Sequence, residues 1–295
     1  MAAVATAETA TSLAPMRRRI DGMVVVITGA SAGIGKALAA ALHARGAKLV
    51  LSARRLDLLD RLNTELGAQH LAVRADVSQP DDCEQLIRAS VERFGRIDTL
   101  VCNAGYGIIR TVAEATPQEM EQIFRTNVFG TTDCVRCAVP HLSKQDPRDG
   151  YRAQVMIVSS AAARRGLPYF GAYSATKAAQ LSFAEAMRVE LKPMQIAVTS
   201  VHPMQTETDF FTASEAASSR RLPPTGKRPR RQSVEAVAAA MVRAMEHPKR
   251  ELWPKTGSRL LLHFAALFPR LTDKLMDRER RAIEATLRRR PTGRE

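Results

Sequence analysis

The sequence predicts an α/β fold: a doubly wound parallel sheet in a single domain, followed by a C-terminal amphipathic helical extension. Three observations carry this. Short β-branched runs alternate with helical patterns of 10–20 residues, the signature of parallel strands joined by crossover helices. The first strand is a continuous apolar run, as expected for a strand buried on both faces. No change of composition divides residues 22–215, so the alternation belongs to one unit.

The elements follow in order. Residues 23–28 (MVVVIT) read as the first strand, and residues 34–45, rich in Ala and Leu, as a helix that Gly46 ends. Residues 48–52 form a second strand, 56–66 a helix closed by Gly67, 70–75 a third strand, 81–94 a helix and 99–102 a fourth strand. Thr116-Pro117-Gln118-Glu119 is a helix start, with Thr116 capping, Pro117 in the first turn and Glu119 completing a capping box; this helix should run to about residue 142. Residues 155–159, 172–191 and 197–201 give a fifth strand, a long helix and a sixth strand. A helix over 234–245 and a short strand over 251–253 complete the domain. The domain therefore spans residues 21–255, with a Pro- and Arg-rich substrate loop at 204–232. Residues 1–20 are expected to be a disordered tail, because their Arg cluster follows a polar stretch instead of preceding an apolar one, as a secretory signal requires.

Charge sets limits on partners. Of a net +14, residues 216–232 carry +6, the last 26 residues +4 and residues 1–21 +1, which leaves +3 for the body. The basicity lies in a loop and two tails, not on one face, so a nucleic-acid reader is not expected. No apolar run reaches the roughly 20 residues of a spanning helix. Four Cys are too few for a disulfide scaffold and favour a reducing compartment, so a cytoplasmic setting is expected.

Between the first strand and the first helix lies Thr28-Gly29-Ala30-Ser31-Ala32-Gly33-Ile34-Gly35. Glycines there allow a tight turn and close approach of a pyrophosphate, and the helix N-terminus supplies free N–H groups and partial positive charge. The end of the second strand distinguishes cofactors. A carboxylate would accept from the adenosine ribose hydroxyls of NAD. Here the chain reads Ser52-Ala53-Arg54-Arg55, and Arg54 is suited to a 2′-phosphate, so NADP(H) is expected over NAD(H). Further on, Tyr173 and Lys177 are four apart on a helix and share a face. An ammonium beside the phenol would stabilise the phenolate and bring a pKa of about 10 towards neutrality. Tyr173 could then exchange a proton with a carbonyl or alcohol oxygen, with Ser160, at the end of the fifth strand, hydrogen-bonding the same atom.

Taken together, these motifs resemble the short-chain dehydrogenase/reductase family, of the single-domain Ser-Tyr-Lys type with a Rossmann fold, over roughly residues 22–210. The resemblance implies a nicotinamide cofactor bound by Gly29, Ser31, Gly33, Ile34 and Gly35, with Asp76 and Val77 at the adenine. Asn103, Ala104 and Gly105 would brace the cofactor at the end of the fourth strand. It implies a catalytic set of Asn127, Ser160, Tyr173 and Lys177, in which Asn127 holds a water linking the lysine to solvent and Lys177 also binds the nicotinamide ribose. It implies hydride transfer to or from a small-molecule carbonyl or alcohol, and assembly as a homo-dimer or homo-tetramer. After the sixth strand the family usually has Pro-Gly; here Pro203 is followed by Met204, which should narrow the pocket, while Thr208 falls at a cofactor-contacting position.

Tyr106, Gly107, Ile108, Leu167, Tyr169 and Phe170 flank the site and suggest an apolar pocket. Cys134 and Cys137 lie in a predicted helix without further ligands nearby and read as packing, so no metal is expected. In the extension, residues 256–295, apolar side chains from Leu260 to Leu275 recur at helical spacing between basic ones, and Pro269 should kink or split the helix. That pattern favours packing against the domain or a partner subunit, with a helix lying on an anionic membrane as the alternative. The alternatives to an enzyme are a non-catalytic dinucleotide-binding protein on the same fold and a polyanion-binding protein acting through residues 220–231 and the C-terminal arginines.

Overall fold

Val24, Val25, Val26 and Ile27 leave the first strand no polar side, and β1 (Val24–Thr28) accordingly lies inside a seven-stranded sheet, buried throughout. The computed structural model describes residues 17–204 and 232–288, with 206, 214 and 218 between them. The sheet also contains β2 (Lys48–Ala53), β3 (Leu71–Arg74), β4 (Thr99–Cys102), β5 (Ala153–Val158), β6 (Ile196–Val201) and β7 (Glu251–Leu252), in the order β3-β2-β1-β4-β5-β6-β7. Every neighbouring pair is parallel. Strand order reverses between β1 and β4, and the crevice beyond their carboxyl ends is where such sheets bind ligands.

Helices cover both faces. On one, α1 (Gly33–His43), α2 (Leu56–Glu65) and α7 (Val234–Glu246) bury Leu38, Leu42, Leu59 and Met241 against Val25, Ile27 and Leu49. On the other, α3 (Pro80–Phe94), α5 (Gly130–Leu142) and α6 (Gly171–Glu190) bury Leu86, Ile87, Ala138 and Ala184 against Val26, Leu100 and Val155. Cys134 packs in this second core with its Sγ 3.5 Å from that of Cys83.

Two expectations need correction, and a third, that Pro269 kinks or splits the extension, is resolved as a split. The helix expected over 116–142 begins as foreseen, with the Thr116–Glu119 capping box in place, but it is divided. After α4 (Pro117–Phe124) a π-helical turn occupies Arg125–Phe129 before α5 continues. Apolar periodicity does not register the one extra residue in such a turn. Residues 17–20, assigned to a disordered tail, are packed. Arg18 is buried, its Nη1 donating to Gln154 Oε1 at 2.8 Å and its Nη2 to the Asp98 carbonyl at 2.8 Å, below the amino ends of β4 and β5. Finally, Pro269 splits the extension into α8 (Ser258–Leu267) and α9 (Pro269–Arg288), with the proline opening the second helix, where its missing N–H costs nothing.

Candidate active site

The glycine segment turns where β1 enters α1. Gly29 and Gly33 have φ of +67° and +54°, a region that favours glycine. A Cβ on Gly35 would lie 2.3 Å from the Gly29 carbonyl oxygen, and one on Gly29 would lie 2.9 Å from Ala104 Cα. Helix α1 starts behind Ala32, which offers no side-chain cap, so its first N–H groups remain available to an anion. Ser31 and Ile34 flank this turn, and Arg55 Nη2 reaches Ser31 Oγ at 3.5 Å. Arg54 is exposed directly after β2. This cradle fits a dinucleotide pyrophosphate.

Asn103 fastens the end of β4 to that turn. Its Nδ2 donates to the carbonyls of Thr28 (2.9 Å) and Gly29 (3.2 Å), while Thr28 Oγ1 accepts from the N–H groups of Asn103 and Ala104, each at 3.0 Å. Asp76 and Val77 follow β3. The Asp76 carboxylate accepts from Ser78 N and Oγ, and Val77 is so close to α5 that a Cβ on Gly130 would meet its carbonyl oxygen at 2.6 Å. Gly105 is exposed, and a Cβ there would lie 2.9 Å from Asn127 Oδ1 and 3.6 Å from Lys177 Nζ.

Tyr173 and Lys177 share one face of α6, with the ammonium 5.5 Å from the phenol ring centroid. Tyr173 is hydrogen-bonded to Ser160. Ser160 Oγ accepts from Ala162 N at 3.1 Å, which leaves its own hydrogen to donate. The expected lowering of the phenol pKa is not met in this structure. Burial outweighs the Ser160 hydrogen bond and pushes Tyr173 up to about 12, while burial pulls Lys177 down to about 7. The phenol is therefore held protonated at neutral pH, and the lysine is about half charged.

Residues that the sequence reading passed over hold this centre. Lys177 Nζ donates to the Val158 carbonyl and to Gln180 Oε1, each at 2.9 Å. Gln180 in turn donates from Nε2 to the Asn127 carbonyl (2.6 Å) and to Thr131 Oγ1 (2.9 Å). A buried carboxamide thus links Lys177 to the Asn127 carbonyl. Asn127 sits in the π turn, its Nδ2 donating to Tyr106 O and Thr176 Oγ1 and its Oδ1 accepting from Tyr106 N. Gln180 lies three residues beyond Lys177, so helical spacing could have found it. His202 is the other omission. Buried and stacked on Trp253, it is pushed down to about 4 by burial, hence neutral. Its Nδ1 lies 3.2 Å from the Ser160 carbonyl and must carry the proton, so Nε2 accepts from Ser200 Oγ at 3.0 Å. Pro203 is buried next to it, its carbonyl accepting from Ala161 N at 3.0 Å, and Met204 N donates to Gln232 Oε1. Thr208 and most of the 204–232 loop lie outside the described residues, as do residues 1–16 and 289–295.

Comparison with known proteins agrees with this geometry. A family model described as short chain dehydrogenase matches residues 23–219. An uncharacterized oxidoreductase of Bacillus subtilis, YxnA, is 32% identical over 266 residues, covering 88% of this chain and 73% of that protein. The 11-beta-hydroxysteroid dehydrogenase-like protein 4A of Arabidopsis thaliana is 38% identical over 191 residues, but the match spans only 61% of its length and 63% of this chain. Among solved structures, a short chain dehydrogenase/reductase from Burkholderia phymatum in complex with NAD has a TM-score of 0.76 at 25% identity, covering 86% of this chain and 96% of its own. A short chain dehydrogenase from Burkholderia cenocepacia in complex with NADP has a TM-score of 0.71 at 25% identity, covering 88% and 98%.

Proposed function

The chain belongs to the short-chain dehydrogenase/reductase family and is an enzyme of that family, and we propose that it is an NADP(H)-dependent oxidoreductase acting on the carbonyl or alcohol carbon of a small, apolar substrate. The observation that carries this reading is the convergence of the Ser160–Tyr173 hydrogen bond and the buried Lys177 beside the glycine cradle. The nicotinamide dinucleotide supplies or accepts the hydride when bound. The chain's own groups manage the oxygen. Tyr173, held as a neutral phenol, is set to give its proton to a carbonyl oxygen, and Ser160 donates a hydrogen bond to the same atom. The nearby ammonium of Lys177 stabilises the phenolate left behind, and Gln180 holds that ammonium in place. Asn103 and Gly105 keep the cofactor side open and rigid.

NADP(H) is favoured by Arg54, exposed beyond β2 and without an ion pair among the described residues. Of the two relatives' structures, one was solved with NAD and the other with NADP, so the preference rests on this chain's residues. An apolar substrate is supported by Ile108 and Ala172, buried with Tyr106 and Tyr173 packed on them at the site's edge. The test is a panel of carbonyls and alcohols assayed with NADPH, NADH and their oxidised forms. NADPH oxidation on at least one carbonyl is expected, and Tyr173→Phe should abolish it while NADPH still binds. Undiminished turnover by that variant would overturn the mechanism, and equal catalytic efficiency with NADPH and NADH would remove the cofactor preference.

A further inference from the structure

Helices α8 and α9 follow one another across Phe268, and the pair has an anchored side and an exposed apolar one. The inner face is anchored. Ile283 packs with Ile109 and Tyr169, Tyr169 Oη donates to Glu284 at 3.3 Å, and Arg165 pairs with Asp273. Arg165 and Tyr169 lie in the segment between Ser160 and Tyr173, so α9 is fastened to the stretch of chain that joins these two residues. The outer face is apolar and uncovered. Leu260 and Leu267 are 76% and 75% exposed, and Leu261, Phe264, Leu271 and Leu275 are each exposed by about half. The domain therefore does not cover the stripe, which leaves a partner subunit or a membrane surface. Large contiguous apolar surfaces of this kind mark interaction sites.

Charge selects the partner. Three of the four acids of α9 are already engaged, Asp273 by Arg165, Asp277 by Arg280 and Arg281, and Glu284 by Arg280, whereas Glu279 has no ion pair among the described residues. Arg270, Lys274 and Arg278, spaced four apart, run along the helix beside Leu271 and Leu275 and have no ion pair among the described residues. A second copy of the chain docking through this face about a two-fold axis would bring that cationic row close to itself. A surface of anionic headgroups over acyl chains instead satisfies both the row and the stripe. We propose that the outer face of α8–α9 docks on an anionic lipid surface, with the leucines and phenylalanines entering the headgroup–acyl boundary. No helix among the described residues is long and apolar enough to cross a membrane, so the attachment is peripheral. Docking does not depend on the reaction assigned above and is read without it.

The full chain is sedimented with vesicles of phosphatidylcholine alone and with vesicles containing phosphatidylglycerol. It should associate with the anionic vesicles, less so as salt is raised, and not with the neutral ones. The double variant Leu260→Glu/Leu267→Glu and the double variant Lys274→Glu/Arg278→Glu should each lower the partition coefficient about tenfold or more. Both should keep the parent's melting temperature. Three outcomes overturn the proposal: no association of the intact chain, association that neither variant weakens, or a fall in oligomeric mass by light scattering for Leu260→Glu/Leu267→Glu, which would assign the face to a second copy.

Discussion

Replacing Gln180 with leucine isolates the electrostatic part of the site. The ammonium of Lys177 is buried, pulled down to about 7, and held by two acceptors, the Val158 carbonyl and Gln180 Oε1. Leucine removes one of them without adding charge. A hydrogen bond to a charged group contributes about 1.5–3 kcal/mol, and about 1.4 kcal/mol corresponds to one pKa unit. The ammonium pKa should therefore fall by about one to two units. More of the lysine is then neutral at pH 7, so kcat/KM should fall about tenfold, whereas at lower pH, where the lysine of both forms is charged, the deficit should shrink. The assay is kcat/KM for NADPH, at saturating carbonyl, as a function of pH, since this parameter reports the groups of the free enzyme. The alkaline limb should move to lower pH. The variant also strips a donor from the Asn127 carbonyl and Thr131 Oγ1, so some loss of melting temperature accompanies it. A deficit of equal size at every pH would mean that Gln180 only supports the fold, and the proposed role would be refuted.

Two more predictions follow from the same geometry. Gly105→Ala would put a methyl group 2.9 Å from Asn127 Oδ1 and within contact of Lys177 Nζ, so NADPH turnover should fall about tenfold or more while circular dichroism stays unchanged; parental kinetics would show that the segment has room to spare. Arg18→Ala would orphan Gln154 Oε1 and leave the Asp98 carbonyl with only Gln154 N as donor, at a cost of about 1–3 kcal/mol, visible as an earlier urea midpoint; an unmoved midpoint would mean that Arg18 contributes nothing to holding the strand ends.

Reading the sheet from sequence succeeds because its signals are local. Buried parallel strands are apolar on both sides over most of their length, as residues 24–27 and 155–158 are, and helices must show a periodic face. The glycines at 29, 33 and 35 and the Tyr173–Lys177 spacing are likewise local, set by backbone geometry and one helical turn. Arg18 illustrates the limit. Its short segment looks like a polar tail, and only the assembled sheet ends, Asp98 beside Gln154, offer acceptors that make burying a guanidinium tolerable.

Sequence alone determined the order of strands and helices along the chain, the glycine turn after β1 and the Tyr173–Lys177 pair on one helix face, because each depends on residues within a few positions of one another. Tertiary structure decided the electrostatic state of that pair. The phenol rises and the ammonium falls because desolvation depends on everything packed around them, and Gln180 can bridge Lys177 to Asn127 only once a π turn has brought a carbonyl 53 residues away within hydrogen-bond reach. It also decided that the leucines of the extension face outwards, since periodicity gives a helix an apolar stripe but not a direction in which to turn it.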